Sequence, residues 1–225
     1  MTTDTSLCLV SVGKEYNYIT QKKLPMLIDK GYRISLMTDN IEFFSEYRND
    51  IDIYHYSNEQ FNYLDKIEFT LFICLNKKQN VFYIDVNKID KTIEKFEQKY
   101  NTYVGTNICF SQYWGIDIDT DFDSLKYVKQ YFEKKNMILP KIIQGISETI
   151  FFIPYTQNIK IIKQKFEELK TVFTFQTMMD NSKSLYLPRY GKQNIGYGGG
   201  RLIYLLLEEL KIDYEIKYKK GIDLI

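Results

Sequence analysis

The chain has 225 residues, 44% of them hydrophobic, enough apolar content to bury a sizeable core and too much for an intrinsically disordered chain. Thirty Lys and Arg stand against 29 Asp and Glu, a net charge of +1, so no global field draws a nucleic acid or an anionic membrane. Tyr (20), Phe (15), Ile and Lys are abundant, as an AT-rich genome would give.

Leu7-Cys-Leu-Val-Ser-Val12 reads as a short apolar strand stopped by Gly13. Tyr18, Leu24, Leu27 and Ile28 predict a helix ended by Gly31, with Pro25 kinking it or marking a late start. Arg33–Thr38 reads as a second strand ending at Asp39-Asn40, and alternation over Ile51–Tyr56 as a third. Leu64, Ile67, Leu71 and Leu75 recur at helical spacing before the polar stop Asn76–Asn80. Val81-Phe-Tyr-Ile84 is a buried strand ending on Asp85, with Asn87 two residues later. Were the chain to stay extended, both polar side chains would share one face. Two oxygen ligands so placed suit a hard divalent cation shared with phosphate, and the same residues also read as a solvated turn.

Ile89, Ile93, Phe96 and Tyr100 predict a further helix, and Tyr103–Phe110 a strand followed by Ser111-Gln-Tyr-Trp114. Thr120 can cap a helix carrying Leu125, Val128 and Phe132. Gln144–Glu148 reads as a glycine-containing polar stretch before the buried strand Thr149–Ile153. Ile159, Ile162, Phe166, Leu169 and Phe173 form one helix face, Leu202, Ile203, Leu206 and Leu210 another, and Tyr214–Tyr218 a closing strand. No linker or repeat divides the chain, so a single α/β domain over residues 1–225 is expected.

Cys8, Cys74 and Cys109 are odd in number and widely spaced. That argues for buried free thiols rather than a disulfide framework or a zinc site. No apolar run nears the ~20 residues of a membrane helix, and Met1–Ser6 lacks signal-peptide features, so a cytoplasmic protein is expected. His55 is the single histidine, and no Ser-His-Asp or Cys-His set can be built around it. Trp114 reads as a sugar-facing ring or as core. In Gly196-Tyr-Gly-Gly-Gly-Arg201, glycine backbone at a helix start can approach an anion, and Arg201 can pair with diphosphate; the loop is neither a Walker loop nor a Rossmann fingerprint. Tyr186, Arg189 and Tyr190 precede it as candidates for a lid.

The order of these pieces resembles that of GT-A fold nucleotide-sugar glycosyltransferases. The resemblance rests on the Leu7–Val12 strand with Gly13–Tyr16, the second strand ending Thr38-Asp39-Asn40, the helix opening Leu64–Ile67, and the Val81–Asn87 strand as an Asp-X-Asp-like element. It spans roughly residues 7 to 175. Size and Tyr/Lys/Ile/Asn-rich character are similar to the compact glycosyltransferase domains of large DNA viruses of algae and protists, which would place the protein in host cytoplasm.

The resemblance implies a GT-A-like (Rossmann-like) mixed, mostly parallel sheet flanked by helices, a UDP- or GDP-sugar donor, a glycan acceptor, and Mn²⁺ or Mg²⁺. Asp85 would touch the ribose or donor sugar, and the second acidic position, the firmer metal ligand, is here Asn87, an amide that binds a cation without bringing charge. Asp90 is a further possible ligand. Val10, Ser11, Val12 and Tyr16 match the segment that holds the base, Asp39 the acidic residue near base or ribose, and Lys66 a basic residue beside the nucleotide. Lys66 also reads as a solvated helix charge, and Asp39 as a turn residue. Glu148, with Asp180 as its rival, would be the base that deprotonates the acceptor if the reaction inverts. Two other readings stay open. One is a nucleotidyltransferase, which lacks here an early basic phosphate loop. The other is a catalytically degenerate GT-A domain that binds a glycan or partner, which Asn87 favours.

Overall fold

The computed structural model describes residues 4–58, 61, 63–117, 123–172, 185–187, 191–193 and 199–217. It divides into two compact units: residues 1–111, 148–160 and 214–217, and residues 112–147, 161–213 and 218–225.

In chain order the elements are β1 (Thr5–Ser11), α1 (Lys14–Asp29), β2 (Arg33–Thr38), β3 (Asp52–His55), α2 (Tyr63–Lys77), β4 (Asn80–Ile84), α3 (Ile93–Tyr103) and β5 (Ile108–Asp117). There follow α4 (Asp123–Lys134), β6 (Ile142–Ile153), α5 (Ile159–Val172), β7 (Leu185–Leu187), β8 (Gly191–Gln193), α6 (Gly199–Leu210) and β9 (Tyr214–Ile216). Seven strands form one sheet in the order β3-β2-β1-β4-β6-β5-β9, and β7 and β8 form a separate hairpin. Pairs β1–β2, β1–β4, β2–β3 and β5–β9 are parallel, and β4–β6 is antiparallel. The fold is therefore the expected mixed, mostly parallel α/β sheet flanked by helices.

Every residue of β1 is buried, as a strand covered on both faces must be. Alternation assigns the faces. Leu7, Leu9, Ile34, Leu36, Phe82, Ile84, Ile150 and Phe152 join Leu24 and Leu27 of α1 and Phe96 and Tyr103 of α3 in one core cluster. The other face carries Cys8 and Tyr83 and is covered by α2. Burial among Cys74 and Lys77 of α2 pushes the Cys8 thiol far above its ordinary value, despite the nearby lysine. Burial also raises Cys74 to about 12 and Cys109 to about 11. All three cysteines are free and buried, as expected.

Pro25 does not interrupt α1, because it lies on the exposed side, where the helix can yield toward water. Gly31 ends the helix with φ +75°, its N–H bonded to Ile28 O and that of Tyr32 to Leu27 O. Two expectations shift. Tyr103 closes α3 rather than opening a strand, since its ring is needed in the aromatic cluster around Phe82, and β5 starts at Ile108. Gln144–Glu148 is not a loop but part of β6, a twelve-residue strand whose extent local polarity hides. Thr120 and Phe173 lie outside the described residues.

In the second unit, Glu209 of α6 joins three helices. It receives Lys135 at 3.3 Å and Lys165 at 2.8 Å, and accepts the Tyr131 hydroxyl. Among the described residues no helix is long and apolar enough to cross a membrane.

Candidate functional site

Strand order locates a crevice before any side chain is considered. After β1 the chain turns through α1 to β2 on one side, whereas β4 lies on β1's other side. Open α/β sheets bind ligands at the carboxyl ends of the two strands where the winding reverses. Here those are β1, ending in Val10-Ser11-Val12-Gly13, and β4, ending in Ile84-Asp85. Cys8 pairs with Tyr83, and continuing that register puts Val10 level with Asp85.

Asp85 is pinned from three sides. Its backbone N–H donates to Thr149 O of β6 at 2.8 Å. Its Oδ1 accepts the Lys66 ammonium at 2.7 Å and the Tyr83 hydroxyl at 2.7 Å. The pair is nearly dry, with side-chain exposures of 7% for Lys66 and 15% for Asp85. Lys66 also stands 5.9 Å from the centre of the Tyr83 ring, which stacks on Phe151. Asp85 Oδ2 takes no bond among the described residues.

Beside it, a polar network shapes the turn after β1. Ser11 donates to Asn17 Oδ1 at 2.7 Å, Thr20 donates to Ser11 at 2.9 Å, and Thr38 donates to Asn17 Oδ1 at 3.3 Å. Asp39 accepts Gly13 N–H at 2.9 Å through one oxygen and Asn17 Nδ2 at 3.1 Å through the other. Asp39 thus braces the β1–α1 turn, a role its surface position does not reveal. Tyr16, in the first turn of α1, is 44% exposed and available to a flat ligand.

Gly13 adopts φ +94°, ψ 149°, a region essentially closed to other residues. An added Cβ would meet nothing within 4 Å, so the cost of Gly13→Ala is conformational rather than steric. Chemical denaturation is expected to show a loss of about 1–3 kcal/mol. A loss below the resolution of the experiment would mean that this backbone is not held.

The expected Asp85/Asn87 pairing on one face does not form. The strand stops at Ile84, and Val86–Lys88 makes a single 3₁₀ turn with Val86 buried and Asn87 exposed. Three residues per turn, rather than two per pleat, separate the two side chains. Asp90, the other possible ligand, is already engaged. Lys99 stands 2.6 Å from its Oδ2, in an ion pair without hydrogen-bond angle, and Lys23 donates to its carbonyl at 2.9 Å. Among the described residues no group of three or more His, Cys, Asp or Glu can hold a metal. The residues at Asp85 therefore do not fit a dication held in the expected way.

Glu148 lies on β6, one residue before Thr149, and its side chain lies outside the described residues. So do the side chains of Trp114 on β5 and of Arg201 in the first turn of α6, and the whole of Asp180, Arg189 and Tyr190. Lys66 and Asp85, singled out separately in the sequence, are brought together. Tyr83 and Asn17 were missed. Tyr83 had a signal, being two residues before Asp85 on the same strand face. Asn17 had another, a polar residue at a core position of the α1 stripe that Thr20, Leu24 and Leu27 continue.

No family model and no curated protein sequence matches the chain. Among solved structures it is similar to mouse xyloside xylosyltransferase 1 in its apo form, at 10% identity over 95% of this chain and 85% of that one, TM-score 0.42. It is also similar to 4-diphosphocytidyl-2C-methyl-D-erythritol synthase from Anaerococcus prevotii DSM 20548, at 12% identity over 95% and 86%, TM-score 0.47. A third is a putative glucose-1-phosphate thymidylyltransferase from Bacillus anthracis in complex with a sucrose, at 9% identity over 94% and 87%, TM-score 0.39. Likeness at this level does not reach the chemistry of the site.

Proposed function

We propose that the protein is a glycosyltransferase moving a sugar from a nucleoside diphosphate sugar to a hydroxyl acceptor, such as a glycan. The observation that carries this reading is the dry Lys66–Asp85–Tyr83 cluster at the point where the sheet reverses its winding. A carboxylate with one oxygen locked and the other open suits a ribose or sugar hydroxyl. The Lys66 ammonium beside it suits phosphate.

In this reading the β1 edge at Val10, Ser11 and Val12, with Tyr16, holds the nucleoside, and Asp39 keeps the turn in shape. Glu148 is the candidate base for the acceptor hydroxyl, with Asp180 as its rival, and Arg201 is a candidate partner of the diphosphate. Alignment of acceptor with donor, and neutralisation of the departing diphosphate, would supply the rate. The second reading, a binding domain without turnover, is favoured by the exposed, displaced Asn87.

The test is thermal stability against a panel of UDP-, GDP- and dTDP-sugars, followed by release of nucleoside diphosphate with and without acceptor. A true donor at a hundredfold excess over its dissociation constant adds about 2.7 kcal/mol to native stability. A shift with turnover that Glu148→Gln or Asp180→Asn abolishes supports the enzyme. A shift without turnover leaves the binding domain, and no shift with any donor removes the nucleotide-sugar reading.

A further inference from the structure

Both carboxylates of the segment from Asp85 to Asp90 are met by lysine ammoniums. Asp85 pairs with Lys66 and Asp90 with Lys99, while Lys23 donates to the Asp90 backbone carbonyl at 2.9 Å. Lys99 also donates to the Lys88 carbonyl at 2.7 Å. Each carboxylate is thus matched by a lysine.

A carboxylate already neutralised by an ammonium is the opposite of what a dication selects. Mn²⁺ and Mg²⁺ take several hard oxygens at once, whereas Asp85 offers Oδ2 alone, its Oδ1 being held by Lys66 and Tyr83, and among the described residues no group of three or more His, Cys, Asp or Glu completes a metal site. A diphosphate brings negative charge to the same place, where the Lys66 ammonium can meet it without an intermediary.

We infer that this site takes its nucleoside diphosphate without a divalent cation, Lys66 supplying the charge next to Asp85 while Asp85 meets the ligand as an acceptor for a hydroxyl. The inference rests on reading the site as a nucleotide-sugar site. Geometry supports the division of labour. Lys66 and Tyr83 both bond Oδ1, which fixes the carboxylate plane, and Oδ2 takes no bond among the described residues. A lysine-compensated carboxylate can accept a hydroxyl without the site carrying net negative charge toward phosphate. Lys66 is then a positioning residue for Asp85 as well as a source of field.

Calorimetric titration of the full chain tests this, with UDP-sugars, GDP-sugars and inorganic pyrophosphate as probes, each in EDTA and in Mn²⁺ or Mg²⁺. The expected result is one nucleotide sugar binding in EDTA within about threefold of its affinity with cation. Binding only in the presence of cation overturns the inference and leaves the nucleotide-sugar reading standing. Pyrophosphate binding in EDTA with no nucleotide sugar binding sustains the cation-free anion site and removes that reading. No binding of any probe overturns both. In a second arm, the Lys66→Met/Asp85→Asn double variant keeps the buried pair neutral, and its fold is checked by circular dichroism. It is expected to lose about tenfold or more of the EDTA affinity, and unchanged affinity overturns the assignment to these two residues.

Discussion

Replacing Lys66 by Met is expected to destabilise the protein by about 3–5 kcal/mol, and adding Asp85→Asn to that variant to return most of the loss. The ammonium and carboxylate are 2.7 Å apart, and neither side chain is more than 15% exposed. Removing only the lysine leaves a carboxylate out of water with the Tyr83 hydroxyl as its remaining side-chain partner on Oδ1. Methionine fills much the same volume, so packing changes little and the loss reports charge. In the double variant the amide still accepts the Tyr83 hydroxyl and brings no charge. Urea midpoints of the wild type, the two singles and the double give the coupling energy directly. A double variant no more stable than Lys66→Met alone would mean that Lys66 does not compensate Asp85.

Phe82→Ala is expected to cost about 3–5 kcal/mol, for a different reason. Phe82 is fully buried in β4, with its ring centre 5.1 Å from Tyr100, 6.2 Å from Tyr103 and 6.4 Å from Phe96. Three rings supplied by one helix cannot all move into the space a lost phenyl leaves, so a cavity persists. The strand that loses this anchor is the one that presents Asp85, so donor affinity should fall together with stability. Tyr16→Ala, at a 44% exposed position, is the control and should change stability by no more than about 0.5 kcal/mol. A loss below about 1 kcal/mol at Phe82 would show that the cluster re-packs freely, contrary to this account.

Much of the framework could be read from the chain because local chemistry states it. β1, β2 and β4 are short apolar runs with polar or glycine stops, and α2 is found where leucine spacing outweighs β-prone composition. Gly31 ends α1 in the left-handed conformation that only glycine enters cheaply. Asp85 stands out by its place at the end of a strand, Lys66 and Asp39 only through the resemblance to GT-A fold glycosyltransferases. The extent of β6 and the start of β5 were misjudged for a shared reason. A strand is bounded by its neighbours, and Gln144–Glu148 and Tyr103 carry no local mark of which neighbour they meet.

The site divides along the same line. Sequence by itself determined where most of the strands and helices lie, that the three thiols are buried, and that a carboxylate stands at the end of a central strand. These follow from periodicity and from burial tendencies, which are properties of short stretches. Only the tertiary structure decided that Lys66, nineteen residues away, holds that carboxylate, that Asp39 braces a turn, and that Asn87 sits exposed in a 3₁₀ turn rather than in an extended strand. Those facts depend on α2 covering the β1–β4 seam and on a 3₁₀ turn replacing an extended chain. The partners of a charge are set by the elements that pack beside it, and that choice is made by the burial of the whole sheet.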